Sequence, residues 1–142
     1  MYNLDHNLLI LKISSDKIDF YTDIIHKMAG APVLVVGDIM LDRFVYGHVD
    51  RISPESPVPV LAIDRENMML GGAGNALTNL VTLGAKGSII SLIGADESGK
   101  QVSALVKDLG AKTGGLKAVK GRPTIEKTRF LAGHQQLMRS DY

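Results

Sequence analysis

Two short segments carry the residue types from which a pocket for a hydroxyl-rich small molecule is built. Residues 37–42 (GDIMLD) follow an apolar run, and residues 71–75 (GGAGN) precede a helical pattern. Carboxylates accept hydrogen bonds from hydroxyls, and glycines let the backbone approach a ligand where a Cβ would collide. Ligands of open α/β sheets bind beyond the carboxyl ends of the strands. We therefore expect Asp42 and Asn75 to converge on one sugar.

Each of these residues also has a purely structural explanation. Asp38 is suited to capping the turn after a strand, whereas Asp42 lies further along, toward the predicted crevice. The paired glycines suit a tight turn into a helix that starts at Asn75, although two glycines cost more backbone entropy than a plain turn requires. The run is not a dinucleotide fingerprint, whose third glycine is replaced by Leu77, and no Lys-Ser or Lys-Thr follows to make a P-loop.

Two cations alternate along a predicted strand near the carboxyl end of the sequence. Lys127 and Arg129 are two residues apart, so they face the same side of a strand, and with Arg122 they could bind a phosphate. The alternative is a solvated strand face balanced by Glu126 and Asp141, and from these residues alone it is the better explanation. The four histidines show no metal-ligand spacing, so no metal site is predicted.

The composition excludes several classes of function. A length of 142 residues suits one domain or part of a larger one. With 16 basic and 15 acidic residues the net charge is +1, which gives no electrostatic case for binding nucleic acid or an anionic membrane. The absence of cysteine excludes disulfides and thiolate catalysis and agrees with a cytoplasmic location. No apolar run reaches the length of a membrane span, and the amino end lacks the basic leader of a signal peptide.

The first half of the sequence predicts an extension, a helix, a strand and a β excursion. Residues 1–15 form an extension of undefined structure, and a helix capped by Asp16 runs to Gly30. Residues 33–36 (VLVV) are typical of a strand buried on both faces of a sheet. Three prolines place residues 43–70 at an edge or rim, as a small β lid.

The second half alternates helices with strands. A helix follows the glycines, with Gly84 at its carboxyl end, and residues 88–93 form a buried strand ended by Gly94. Ser98 is predicted to cap the next helix, a glycine turn follows it, and residues 124–131 and 136–139 form strands. The alternation predicts an α/β layered fold with right-handed crossovers. In the first of these helices the side chains predicted to face inward are Ala76, Leu77, Leu80, Val81 and Leu83, and in the second they are Val102, Leu105, Val106 and Leu109. The predicted glycine turn is at Gly114-Gly115.

Five segments occur in an order that is typical of one family: 35–43 (VVGDIMLDR), 51–60 (RISPESPVPV), 71–75 (GGAGN), 122–124 (RPT) and 135–139 (QQLMR). They resemble the ribokinase-type (PfkB) carbohydrate kinases. Within that family they look most like the kinases that phosphorylate D-glycero-β-D-manno-heptose 7-phosphate at O1. Such a kinase forms the amino-terminal domain of a bifunctional protein that makes ADP-heptose for lipopolysaccharide. The resemblance covers residue 33 to the last residue and implies a ribokinase-like layered fold, with a central, mostly parallel sheet and a small β lid, here incomplete.

The resemblance also implies roles for individual residues. It puts Asp42 at the family's sugar-hydroxyl position and Gly71, Gly72 and Asn75 at its sugar-cradling turn. Leu77 departs from the small residue of the family signature.

At the other end of the sugar, the resemblance makes Lys127 and Arg129 candidates for the phosphate of a sugar-phosphate substrate. The β lid covers the sugar and pairs subunits in this family, so the resemblance implies a homodimer. The complete enzyme is expected to use ATP and Mg²⁺. The family's catalytic Asp lies in a Gly-Ala-Gly-Asp segment, which does not occur in this sequence. The resemblance therefore implies that residues 16–142 are the amino-terminal part of the kinase domain, and we expect them to lack the catalytic base and the ATP site.

We therefore expect the chain alone to be inactive. Two alternatives remain: a catalytically inactive fragment that serves only as a sugar-binding or dimerisation module, and a PfkB kinase for another sugar.

Overall fold

The computed structural model describes residues 15–142, so all but the last residue of the predicted extension lies outside the described residues. Within the described range the chain forms three helices and seven strands. In chain order these are α1 Ser15–Met28, β1 Pro32–Val36, β2 Ile39–Ile52, β3 Pro59–Gly72, α2 Ala73–Thr82, β4 Lys86–Gly94, α3 Glu97–Asp108, β5 Lys112–Val119, β6 Glu126–Ala132 and β7 Gln135–Asp141.

The strands form two sheets. The first is parallel, with the order β1-β4-β5, and the helices that follow β3 and β4 are the crossovers that parallel pairing requires. The second, which we call the lid sheet, has the order β3-β2-β6-β7; β2 pairs antiparallel with β3 and parallel with β6. The α/β layered fold with a mostly parallel sheet and a β lid is confirmed.

The core lies between one face of the sheets and the helices α2 and α3. Leu77, Val102 and Val106 are fully buried there, as their helical spacing predicts. They pack with the inner side chains of the strands, including Ile39, Leu41, Ile89 and Ile93. The start of β2 is tied to β4 by the Ile39 amide, which donates to the Ser91 hydroxyl at 3.0 Å.

The prediction that residues 33–36 are buried on both faces is wrong for this structure. β1 lies at the edge of its sheet, and Leu34 and Val36 are 56% and 68% exposed. Ile90 and Leu92 on neighbouring β4 are exposed as well. The helices α2 and α3 cover only the opposite face, so continuous apolar character here does not mean burial on both sides. Five large apolar side chains of α1, from Ile18 to Ile25, are also exposed. None of the helices in the described range has the length and apolar character to cross a membrane.

The amino-terminal cap of α3 differs from the prediction. The helix starts at Glu97, and the side chain of Asp96, not Ser98, accepts a hydrogen bond from the Gly99 amide at 2.8 Å. Ser98 lies in the first turn and donates to Glu126 instead. Asp and Ser are both common cap residues, and the helix start decides between them.

Two further predictions fail. Gly114 and Gly115 lie within the strand β5, so the predicted turn is wrong; at Gly115 a Cβ would run into the backbone carbonyl of Ile89, because the two parallel strands approach closely. Ala76 and Leu83 are exposed and not inward. Leu83 follows the last residue of α2, where the helical periodicity no longer applies.

Candidate functional site

Asp42 lies in the middle of the lid sheet. The sequence placed it just beyond the end of a strand, but β1 ends at Val36 and Asp42 belongs to the next strand, β2. Its neighbours across the two ladders are Met69 on β3 and Lys127 on β6. Because side chains alternate along strands, Asp42 shares one face of the sheet with Lys127 and with Arg129.

The strongest contact of Asp42 is with Arg129. Arg129 Nη1 donates to Asp42 Oδ1 at 2.6 Å, and the two side chains are 22% and 18% exposed. The guanidinium carbon of Arg129 also lies 5.0 Å from the centre of the Phe44 ring. The structure thus joins the predicted hydroxyl acceptor and the predicted phosphate ligand in one partly buried, charge-assisted hydrogen bond.

Gly71 leaves room for the carboxylate of Asp42. Gly71 pairs with Met40 in the β2–β3 ladder, next to Asp42. A Cβ at this glycine would run into Asp42 Oδ2 and would lie 2.7 Å from Met40 Cγ. Asp42 and this glycine are therefore adjacent in the structure, and their close approach depends on the missing side chain.

Gly72 and Asn75 lie at the start of α2. Gly72 has a φ of +58°, and a Cβ there would lie 2.5 Å from the Asp38 carbonyl oxygen, so the turn favours glycine. That carbonyl accepts from the Ala73 amide at 2.9 Å. Asn75 is exposed and is the third residue of the helix, not the first. Within residues 15–142 no hydrogen bond joins Asn75 to Asp42, so their convergence stays a prediction.

Lys127 shares the face of Asp42 and Arg129. Its Nζ lies 3.5 Å from Asp141 Oδ2 on β7, and Arg139 binds the same carboxylate at 2.7 and 3.0 Å. Of the two acidic residues that the sequence offered as balancing charges, Asp141 does pair with Lys127. Glu126 does not, because it points to the opposite face of the sheet.

Glu126 belongs to a polar cluster that the sequence analysis missed. Arg43 Nε donates to Glu126 Oε1 at 2.8 Å, Arg43 Nη2 donates to Gln101 at 3.1 Å, and the Ser98 hydroxyl donates to Glu126 Oε2 at 2.5 Å. The hydrogen bond from Arg43 holds the pKa of Glu126 below its ordinary value, and the Glu126 carboxylate raises the pKa of Arg43. The sequence did carry a signal for this cluster. At positions 42–43 and 126–127, a candidate site residue stands next to a residue of opposite charge, which must face the other side of the strand.

A second missed cluster closes the carboxyl end of β4. Asp96 accepts from the hydroxyl and the amide of Thr124 at 2.6 and 2.8 Å, and the same hydroxyl accepts from the Gly94 amide at 2.8 Å. The hydrogen bond from the Thr124 hydroxyl is the main cause of the lowered pKa of Asp96. A cavity of about 500 Å³ opens beside this cluster, and Arg122 and Tyr142 line it. The cluster joins the start of α3 to the segment before β6.

Within residues 15–142 no three or more His, Cys, Asp or Glu side chains are grouped so that they could hold a metal ion. The sequence contains no P-loop. What these residues offer is a carboxylate, a glycine-lined backbone and two cations, a set suited to a sugar that carries a phosphate.

Layered helices and sheets with this β lid define a protein of the ribokinase-like fold. The chain is similar to a carbohydrate kinase from Agrobacterium tumefaciens, with a TM-score of 0.57 and 22% identity over 79% of this chain and 35% of that one. It is also similar to the ribokinase of Arabidopsis thaliana in complex with ribose and ATP, with a TM-score of 0.57 and 20% identity over 80% of this chain and 35% of that one. At these identities the likeness shows the fold alone.

Sequence comparison shows the family. The pfkB family of carbohydrate kinases matches residues 31–140, and this chain belongs to that family. It is 53% identical over 117 residues to the bifunctional protein HldE of Paramagnetospirillum magneticum, over 82% of this chain and 24% of that protein. The chain spans about a quarter of the length of the curated relatives it matches.

Proposed function

We propose that this chain is the acceptor-binding part of a kinase that phosphorylates D-glycero-β-D-manno-heptose 7-phosphate at O1, in the synthesis of ADP-heptose for lipopolysaccharide. Membership of the pfkB family supports the reaction class, and the similarity to HldE proteins supports a heptose substrate. The observation that carries the proposal is the 2.6 Å contact between Asp42 and Arg129, beside Gly71. It brings together one group for a sugar hydroxyl and one for a phosphate.

The proposed roles follow from the chemistry of each group. Asp42 accepts a hydrogen bond from a sugar hydroxyl, Gly71 leaves the space that the Asp42 carboxylate occupies, and the turn at Gly71 and Gly72 brings backbone close to the sugar. Asn75, exposed at the start of α2, offers an amide donor and an acceptor to the same sugar. Lys127 and Arg129 bind the phosphate, Arg129 through two parallel hydrogen bonds.

The donor side of the reaction belongs to the longer protein that we propose. There ATP with Mg²⁺ supplies the phosphoryl group, and the family's Gly-Ala-Gly-Asp segment supplies the base; the cytoplasm is the compartment we propose. Membership of the pfkB family of carbohydrate kinases supports a phosphoryl donor of this kind. Phosphoryl transfer depends mainly on positioning and charge stabilisation. The residues of this chain position the acceptor only, so the chain alone binds the sugar phosphate without transferring a phosphoryl group to it.

Two experiments on this chain test the proposal. Calorimetry compares the binding of heptose 7-phosphate, unphosphorylated heptose and ribose, and an assay with ATP and Mg²⁺ measures ADP release. We expect heptose 7-phosphate to bind about tenfold or more tightly than either neutral sugar, because only it engages the two cations. We expect no ADP release. Preference for ribose would point to another sugar substrate, and robust ADP release would contradict the acceptor-only role.

A second candidate function is dimerisation through the lid sheet. An apolar groove of about 460 Å³ on this sheet favours it, since exposed apolar surface near strand edges recruits partners. We expect sedimentation to show a dimer that Met138→Glu disrupts, while Leu83→Glu, an exposed position at the end of α2, leaves it intact. A wild-type mass that stays monomeric at all concentrations would contradict this function. The groove is lined by Val58, Pro59, Leu61, Phe130, Leu137 and Met138.

A further inference from the structure

Both cations that face the proposed phosphate position are already paired with carboxylates. Arg129 contacts Asp42 at 2.6 Å, and Lys127 contacts Asp141 at 3.5 Å. The two ion pairs differ in the state of the carboxylate once its cation has moved away. Asp141 keeps two hydrogen bonds from Arg139 when Lys127 leaves, whereas Asp42 loses its cation when Arg129 leaves. Phosphate binding is therefore tied to the state of Asp42 through Arg129.

We propose that the Asp42–Arg129 ion pair makes sugar binding conditional on the phosphate of the acceptor. The phosphate monoester takes over the guanidinium of Arg129, and this releases the carboxylate of Asp42 to the sugar hydroxyl. The inference rests on the proposed function and deepens it: the site selects monophosphorylated sugars because Arg129 blocks Asp42 against neutral ones. Arg129 is thus a specificity-determining residue as well as a phosphate ligand.

The geometry of Asp42 explains why a neutral sugar binds poorly. Its Oδ1 is occupied by Arg129, and its Oδ2 lies against the backbone of Gly71. A sugar hydroxyl would have to replace a charge-assisted hydrogen bond with a weaker neutral one. It would also leave the guanidinium unpaired at a position where its side chain is 22% exposed, which is costly.

A phosphate avoids that cost. It presents oxygens to Arg129 in the geometry that a guanidinium binds through two hydrogen bonds, so the cation exchanges one anion for another. Phe44 supports the exchange, because its ring lies under the guanidinium carbon at 5.0 Å and holds the cation while its partner changes. Lys127, with the longer and more exposed ion pair, is the cation that the phosphate reaches at the lower cost.

Two charge-removing variants of this chain test the inference by calorimetry with inorganic phosphate, heptose and heptose 7-phosphate. Asp42→Asn removes the charge that neutralises Arg129, so we expect inorganic phosphate to bind about tenfold more tightly than to the wild type. Arg129→Gln frees Asp42, so we expect heptose to bind at least as well as to the wild type while heptose 7-phosphate loses about tenfold or more. The preference for the phosphorylated sugar then collapses.

The matched control is Arg65→Gln. Arg65 lies over the ring of Tyr46 at 4.3 Å, as Arg129 lies over Phe44, but it makes none of the ion pairs found within residues 15–142. We expect this variant to keep the wild-type preference. Circular dichroism checks that each variant is folded, and if Arg129→Gln is not, the gain in phosphate affinity of Asp42→Asn decides alone.

The outcomes separate the two proposals. If the wild type does not bind heptose 7-phosphate, the proposed function fails. If it does bind, but Asp42→Asn gains no phosphate affinity, the coupling is refuted and the proposed function stands. The coupling is also overturned if a folded Arg129→Gln variant loses affinity for heptose and for heptose 7-phosphate to the same extent, because Arg129 would then only support the structure.

Discussion

The two carboxylate oxygens of Asp42 have different neighbours, and both lie on other strands. Oδ1 meets Arg129 of β6, and Oδ2 lies against Gly71 of β3. The position of the carboxylate therefore depends on the hydrogen bond from the Arg129 guanidinium and on the space that Gly71 leaves by having no side chain. Substituting either neighbour should affect Asp42 without changing Asp42 itself.

Gly71→Ala tests the space beside Asp42. The new Cβ would run into Asp42 Oδ2 and lie 2.7 Å from Met40 Cγ, so the carboxylate and the thioether must both move. We expect a loss of about 1–3 kcal/mol in the free energy of unfolding, as for overpacking a core, and a drop in affinity for heptose 7-phosphate. Urea unfolding and calorimetry measure the two effects.

Gly114→Ala is the control for that substitution. No heavy atom lies within 4 Å of a Cβ at Gly114, and its backbone does not have a positive φ. We expect little change in stability and none in sugar-phosphate affinity. Equal effects of the two substitutions would show that glycine at position 71 has no special relation to Asp42.

At the scale of elements, α3 is held at its amino end by one side chain with two roles. Asp96 caps the helix through the Gly99 amide and binds the hydroxyl and amide of Thr124. Thr124 is 2% exposed and precedes β6, the strand that carries Lys127 and Arg129. The cap therefore connects the position of α3 to the start of the strand with the two cations.

Asp96→Ala should cost more than an ordinary surface substitution in the same helix. We expect a loss of about 1–2 kcal/mol in the free energy of unfolding from the cap alone, with a further loss because the buried Thr124 hydroxyl loses its acceptor. Urea unfolding at pH 7 measures it. Lys100→Ala, which removes only an exposed ion pair with Glu97, should cost less than about 0.5 kcal/mol. Similar losses for the two variants would contradict the double role.

At the scale of the whole molecule, Arg43 and Glu126 join the lid sheet to α3. They come from β2 and β6, and they reach α3 through Gln101 and Ser98. Their neighbours in sequence, Asp42 and Lys127, point to the opposite face, toward the proposed site. One face of these strands therefore binds the rest of the protein while the other presents the site.

Glu126→Gln tests this junction and predicts a pH dependence. The pKa of folded Glu126 is lowered, mainly by the hydrogen bond from Arg43, so its contribution is present above the pKa of the unfolded chain and is lost as the pH falls through the folded pKa. We expect the variant to be less stable by about 1–3 kcal/mol at pH 7. Below the folded pKa, where wild-type Glu126 is protonated too, the difference should disappear.

Urea unfolding at neutral and acid pH measures that difference, with Glu66→Gln as the control. Glu66 binds the same arginine at 3.3 Å and is the more exposed partner. We expect only a small loss there. A Glu126→Gln deficit that persists unchanged at low pH would argue against the ion pair as its cause.

The spacing of apolar residues along the chain predicted the helices and the final pair of strands correctly. The helical stripes at Leu77, Val102 and Val106 are buried as expected, and the two final strands meet at a turn at residues 133–134. The errors came where the surroundings decide. Nothing in the residues of β1 says that it lies at a sheet edge, and the glycines of β5 are typical of a turn unless the close approach of β4 is known.

The kinase family, the glycine at position 71 and the common face of Lys127 and Arg129 can be read from the sequence, because they depend on short segments and on a period of two residues. The contact of Arg129 with Asp42, 87 positions away, and the contact of Glu126 with Arg43 on the opposite face cannot be read from the sequence. Such pairings depend on which strands are neighbours and in what register. Those are properties of the assembled sheet, and no local pattern of residues specifies them.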